Sequence, residues 1–202
     1  GIFVQTIAFA GASAAIGLNA DMTSGIIDRF KSLPMNTTGV LLGQNLADLV
    51  RSVITLFIMS LTGFAIGWRI SGGFTNAVIG YLLLLAFGFS MAWIGSTIGL
   101  SVSSPQVAST AGFAWLFPLT FLSNAFVPTE TLPTWLRFFA EWNPITSIVA
   151  AARYLFGYPM QVAPDAPFSL QHPILTTVIW LVVINVIFMP LAAKKFRKAT
   201  SR

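Results

Sequence analysis

The sequence holds no cysteine, one histidine and few charges: eleven Lys or Arg and six Asp or Glu make up only 8% of its 202 residues. Each shortage removes a class. Without cysteine there is no disulfide framework and no thiolate metal site, and the redox compartment stays open. A soluble domain carries roughly 25% charged residues to keep its surface hydrated. This chain cannot do so, and its solvent must be largely lipid. The one histidine, His172, stands before Pro173 at the edge of an apolar run. An intramembrane Ser-His hydrolase would therefore have one available base and no motif serine placed for it. No GxxxxGK[ST] phosphate loop occurs, so no ATP site is expected in this chain.

What the sequence does have is apolar length, with 55% hydrophobic residues. Irregular backbone cannot face hydrocarbon with its polar groups unpaired, which leaves helices or a closed barrel. Barrel strands would alternate in polarity over about ten residues, whereas the runs here are continuous over about twenty. The fold class expected is an all-α membrane protein, a polytopic helical bundle forming one membrane domain over residues 1–202. Five spans are predicted, to within about three residues at each end: Ile2–Leu18, Leu46–Trp68, Val78–Leu100, Val107–Val127 and Ile174–Ala192. The chain begins at Gly1 and is apolar from Ile2, so it reads as a piece of a longer polypeptide lacking an upstream first span. The first run has no basic leader, and a signal peptide is not expected.

Of the eleven basic residues, Lys194, Lys195, Arg197, Lys198 and Arg202 crowd the tail. That is a membrane-flank pattern and not a nucleic-acid surface. Basic residues near short loops stay on the cytoplasmic side, which puts the C-terminus in the cytoplasm. Counting back, the first linker, residues 19–45 with Arg29 and Lys31, is cytoplasmic. The long fourth linker, residues 128–173, is outside with Arg137 and Arg153. With the upstream span the full count is six.

Within the first linker, Ile26, Ile27, Phe30 and Leu33 fall at helical spacing on one face, opposite Asp28, Arg29, Lys31 and Ser32, and Pro34 ends the pattern. A short amphipathic helix is expected. It suits a headgroup surface or a groove on a soluble partner, and pattern alone does not separate the two.

In the fourth linker, Pro133 to Trp142 reads as one short helix carrying Trp135, Leu136 and Trp142. Asn143 as cap, Pro144 as first helical residue and Gly157 as terminator define a second, which carries Arg153. Both are about half the length of a span yet too apolar for water. They are expected to dip into the outer leaflet as a re-entrant pair, with an interfacial hairpin lying flat as the alternative.

Ala8, Ala10, Gly11, Ala12, Ser13, Ala14, Ala15 and Gly17 make the first span one that lets helix backbones approach closely, hence a central one. Asp48 and Arg51, three apart, are expected to pair. Gln5 and Asn185 are expected to hydrogen-bond between helices, and Phe117-Pro118 to kink the fourth span.

The run Gly25-Ile26-Ile27-Asp28-Arg29-Phe30-Lys31-Ser32-Leu33-Pro34-Met35 after a small-residue span resembles the signature of ABC-2 type permeases of the daunorubicin-resistance kind. Leu132-Pro133 and Trp135-Leu136, followed by Asn143-Pro144 and later Arg153, resemble that family's outer segment. The resemblance implies two permease subunits, as a homodimer or with a homologous partner, and two cytoplasmic ABC ATPase subunits that hold the ATP and Mg. No catalytic residue, cofactor or metal belongs to this chain itself. It further implies that Ile26, Ile27, Asp28, Arg29, Phe30, Lys31 and Leu33 form the coupling helix docked in the ATPase. The expected function is export of an amphipathic drug or lipid-like substrate across the cytoplasmic membrane. Gln5, Phe9, Phe113, Phe117 and Phe121 are candidates for the path, with packing or lipid contact as their alternative role. A polysaccharide or glycolipid exporter of the same family, or a channel or scaffold without an ATPase, are the other readings.

Overall fold

A computed structural model describes residues 1–24, 37–124, 132–158 and 166–200 of the chain. Among them every regular element is a helix: α1 (Ile2–Thr23), α2 (Thr37–Ala65), α3 (Phe74–Gly99), α4 (Pro105–Phe121), α5 (Thr134–Glu141), α6 (Pro144–Leu155), α7 (Phe168–Gln171) and α8 (Pro173–Thr200). The predicted coupling residues Ile26, Ile27, Asp28, Arg29, Phe30, Lys31 and Leu33 lie outside the described residues.

Four helices, α1, α2, α3 and α8, are long and apolar enough to cross a membrane. Five spans were expected, and the difference is α4. It has 17 residues, about 26 Å at 1.5 Å per residue, against a hydrocarbon core of about 30 Å. It stops at Phe121, six residues before the predicted end, because the chain turns there. Leu122 N–H still bonds Pro118 O at 2.9 Å, but Ser123 Oγ donates to Thr120 O at 2.5 Å and Asn124 N–H to Thr146 Oγ1 on α6 at 3.1 Å.

The first linker is also shorter than its polarity suggested, since Asn19 and Asn45 are both helical. Polar residues at those helix ends are tolerated because each finds a partner. Gln44 Nε2 donates to Asp21 Oδ2 at 3.0 Å, Ser96 Oγ to Asn45 Oδ1 at 3.3 Å, and Arg51 Nη1 to Asp48 Oδ1 at 2.8 Å, the predicted pair.

α1 and α3 are the central helices, each about half buried within the chain, while α2 and α8 turn most of their apolar surface outward. The central pair is close because its facing residues are small. A Cβ on Gly11 would lie 2.7 Å from Met91 O, one on Gly99 2.5 Å from Ala15 O, and one on Gly95 would overlap Gly11 O. Gly112 of α4 meets Ala12 on another side of α1. In lipid, where packing and not water expulsion holds spans together, such approach is the main source of helix association. The small-residue run of α1 therefore finds its complement inside the same chain. Gly88, Gly95 and Gly99, spaced seven and four apart on one face of α3, are the matching signal in the sequence.

Helix ends gather in two layers. At one, the basic end, Leu18, Leu41, Trp93, Ala192 and Phe196 form a buried cluster from α1, α2, α3 and α8. At the far end the α2–α3 loop is strapped to the end of α6. Ser71 N–H donates to Phe156 O at 3.1 Å, Ser71 Oγ to Gly157 O at 3.1 Å, and Tyr158 OH to Arg69 O. Gly157, at φ +88°, is glycine for both reasons available: the left-handed backbone, and a Cβ there would strike Ser71 and Gly72.

Candidate functional site

Of the residues singled out for a substrate path, four meet. Phe9 of α1 lies 5.8 Å from Phe113 and 5.7 Å from Phe117 of α4, ring centre to ring centre. Phe113 and Phe117 are 5.7 Å apart, and Phe117 and Phe121 6.0 Å apart. The ladder follows from the four-residue spacing of 113, 117 and 121, which stacks side chains along one stripe of a helix. Phe9 and Phe113 are half-buried, whereas Phe117 and Phe121 are 45% and 58% exposed. The upper rungs are therefore open to whatever lies against the α1–α4 face. Gln5, one turn before Phe9, is half-buried, with no side-chain hydrogen bond among the described residues. The ladder is an apolar, polarizable track with one free amide near it, suited to the flat faces of aromatic molecules.

The outer-segment residues divide into two groups. On α5, Trp135, Phe138 and Phe139 are exposed and Leu136 is half-buried, and Trp142, just past the helix, is exposed as well. Arg137 Nε donates to Glu141 Oε1 at 2.6 Å, which satisfies the buried carboxylate. On α6 the pattern reverses, with every residue from Ile145 to Ala152 buried. Asn143 caps it by accepting from Ile145 N–H at 2.8 Å, with Pro144 at the first helical position. The same Asn143 donates from Nδ2 to Leu119 O at 2.7 Å and Leu122 O at 3.2 Å, the orphan carbonyls at the end of α4. The first role was legible as a cap in the sequence; the second was not. Arg153 is half-buried beside a cavity of about 370 Å³ that it lines with Phe3, Trp68, Phe156 and Tyr158.

A polar layer joins the helices at the basic end. Asn19 Nδ2 donates to Gly99 O and Val102 O at 2.9 and 2.8 Å, capping the end of α3 from α1. With the Asp21–Gln44 and Asn45–Ser96 bonds, the two helices that flank residues 25–36 are joined to each other and to α3. Lys195 Nζ reaches Ser101 Oγ at 2.6 Å. Deeper in the bundle, Asn185 Nδ2 donates to Ser90 Oγ at 2.6 Å, the interhelical bond expected of it. Among the described residues no group of His, Asp and Glu is arranged to hold a metal ion.

The sequence profile of the ABC-2 type transporter family matches residues 1–156. The chain is 36% identical over 155 residues to the daunorubicin resistance ABC transporter permease protein DrrB1 of Streptomyces coeruleorubidus, covering 77% of this chain and 55% of that protein. It is 26% identical over 183 residues to the doxorubicin resistance ABC transporter permease protein DrrB of Mycobacterium tuberculosis, covering 91% and 63%. To the probable doxorubicin resistance permease DrrC of the same organism it is 23% identical over 188 residues, covering 93% and 64%. The chain thus spans somewhat over half the length of the curated relatives it matches. An all-helical multi-pass membrane protein by its apolar helices, the chain belongs to the ABC-2 type transporter family.

Proposed function

We propose that this chain is the membrane-spanning part of an ATP-driven exporter of amphipathic, drug-like molecules, working across the cytoplasmic membrane with its basic tail inside. A separate ABC ATPase binds ATP and Mg, and a second permease copy or a homologue completes the translocator. Residues 26–33 are the coupling helix. The full-length protein has six spans in one membrane domain, with α4 as the fifth and an upstream helix as the first. The outer pair α5 and α6 is re-entrant: α6 starts at the end of α4, finishes against the far-end loop and is buried from Ile145 to Ala152, which favours a helix within the bundle over a flat one.

Geometry at the basic end supports a route for the force. Movement of residues 26–33 is delivered to α1 and α2 together, because Asp21 and Gln44 tie their ends, and passes to α3 through Asn19 and Asn45. Packed helices respond to such a push as rigid bodies. The observation that carries the substrate reading is the Phe9–Phe113–Phe117–Phe121 ladder, which is open on its outer rungs and belongs to a chain related to doxorubicin and daunorubicin resistance permeases.

The test is uptake of doxorubicin into inverted vesicles holding the full-length permease and its ATPase. Phe117→Ala removes the central ring, and with it stacking of roughly 0.5–1.5 kcal/mol beyond the lost area. The expected result is a several-fold higher KM with basal ATP hydrolysis preserved. Unchanged uptake in the Phe117→Ala, Phe121→Ala double variant would remove the ladder from the path.

A further inference from the structure

A groove of about 340 Å³ runs along the outward face of the bundle between α2 and α3. Val53, Phe57, Leu61 and Phe64 line it from α2, and Tyr81 and Leu85 from α3. The two hydroxyls at its wall are spent on the protein. Ser60 donates to Leu56 O at 2.6 Å, so the Tyr81 hydroxyl, 2.6 Å from Ser60 Oγ, donates to Ser60. What remains facing the groove is hydrocarbon and aromatic carbon. From Val53 to Phe64 the helix rises about 16 Å, close to half of the roughly 30 Å hydrocarbon core. The groove therefore has the depth of one leaflet.

Its upper end carries a cation. Arg69 follows the end of α2 and is exposed, and its Nη1 donates to Phe64 O at 3.1 Å and Trp68 O at 3.3 Å. Those bonds hold the guanidinium at the end of α2, against the backbone of Phe64, the last α2 residue to line the groove. Among the described residues no carboxylate stands within ion-pair distance of it. At the same end of α2, Trp68 stacks on Phe64 at 5.3 Å and 18°. An apolar trough one leaflet deep, with a guanidinium at its polar end, matches an acyl chain beneath a phosphate. Arg offers a phosphate two parallel donors and a full charge.

We propose that this groove binds one phospholipid of the leaflet opposite the basic tail, an acyl chain lying between α2 and α3 and its phosphate held by Arg69. The site depends on α2 and α3 crossing the membrane and not on what the protein transports. A volume of about 340 Å³ is at the lower limit for small-molecule pockets. That suits a single chain better than a fused-ring drug.

The experiment places the full-length protein in phospholipid vesicles with a trace of phosphatidylglycerol carrying a photoactivatable group on its acyl chain, too little to saturate a site. Labelled peptides are then mapped. Residues 53–64 and 81–85 should be labelled well above the lipid-facing stretch of α8 around Val182 and Val186, which serves as the bulk-lipid standard. Arg69→Gln should lower groove labelling about tenfold, the loss expected when one charge-assisted partner is deleted, and leave α8 labelling unchanged. Arg69→Lys should keep most of it. Leu61→Trp, which fills the trough and keeps the cation, should abolish groove labelling. A diacylglycerol probe with the same chain should show no preference for the groove. Groove labelling equal to that of α8, undiminished in both Arg69→Gln and Leu61→Trp, or matched by diacylglycerol would overturn the proposal.

Discussion

Asn143 Nδ2 donates to Leu119 O at 2.7 Å across a gap of twenty-four residues, while Oδ1 of the same side chain accepts the first free N–H of α6. One amide thus caps the end of one helix and the start of the next. Both roles lie in a buried setting, where an unmade hydrogen bond has no water to replace it. The end of α4 and the beginning of α6 must move as a unit, so the outer segment is fastened to the helix that carries the aromatic ladder.

Asn143→Ala should lower stability by about 2–3 kcal/mol, combining a lost cap of roughly 1 kcal/mol with orphaned carbonyls of α4. Asn143→Asp separates the two. The carboxylate can still cap α6 but has no proton to give Leu119 O, and should be as damaging as alanine. Reversible denaturation in mixed micelles measures both. Wild-type stability in Asn143→Asp would mean that only the cap at α6 matters.

Gly95 offers a second contrast. A methyl there overlaps the backbone oxygen of Gly11, which cannot yield as a side chain can, and Gly95→Ala should cost about 1–3 kcal/mol by prising α1 from α3. Gly43→Ala meets nothing within 4 Å in mid-helix and should be neutral or stabilising by up to about 1 kcal/mol. Thermal unfolding of the two variants should therefore shift in opposite directions, or for Gly43→Ala not at all.

These two sites also mark how far the sequence could be read. Apolar length fixed the long helices, since no soluble alternative can bury such runs, and Asn143, Pro144 and Gly157 marked α6 because caps act within one turn. The pattern at Ile26 to Leu33 was legible as an amphipathic face, and its residues lie outside the described ones. What could not be read was pairing between distant segments. Nothing local says that Asn143 reaches Leu119, that Asn19 caps α3, or that Phe9 meets Phe117, because these contacts are decided by which helices become neighbours. That α2 starts at Thr37, before the expected Leu46, has a related reason: Gln44 and Asn45 look too polar for a buried helix until Asp21 and Ser96 are seen beside them.

If residues 26–33 dock in a groove of the ATPase, Phe30→Asp places a charge where an apolar ring is buried, a change that no side-chain rotation relieves cheaply. Transport should fall at least about tenfold while insertion in the membrane is unaffected. The ATPase should either dissociate or hydrolyse ATP without export. Co-purification and vesicle uptake read these separately, and normal uptake would remove the coupling role from this segment.

The absence of cysteine from this chain makes the proposed orientation, with the basic tail inside, measurable. The linkers and helix ends assigned to the basic end hold Arg29, Lys31, Arg51 and the five tail residues, against Arg69, Arg137 and Arg153 on the opposite side. Retention of Lys and Arg near short loops follows that imbalance. Ser24→Cys, at the exposed end of α1, should react with a membrane-impermeant maleimide only in inverted vesicles. Thr75→Cys, exposed at the start of α3, should react only in intact cells. These positions lie at opposite ends of the bundle, so the pair must give opposite answers if α1, α2 and α3 each cross. Labelling of both from one side would contradict the spans themselves, and a clean exchange of sides would invert the orientation and place the coupling segment out of reach of any cytoplasmic ATPase.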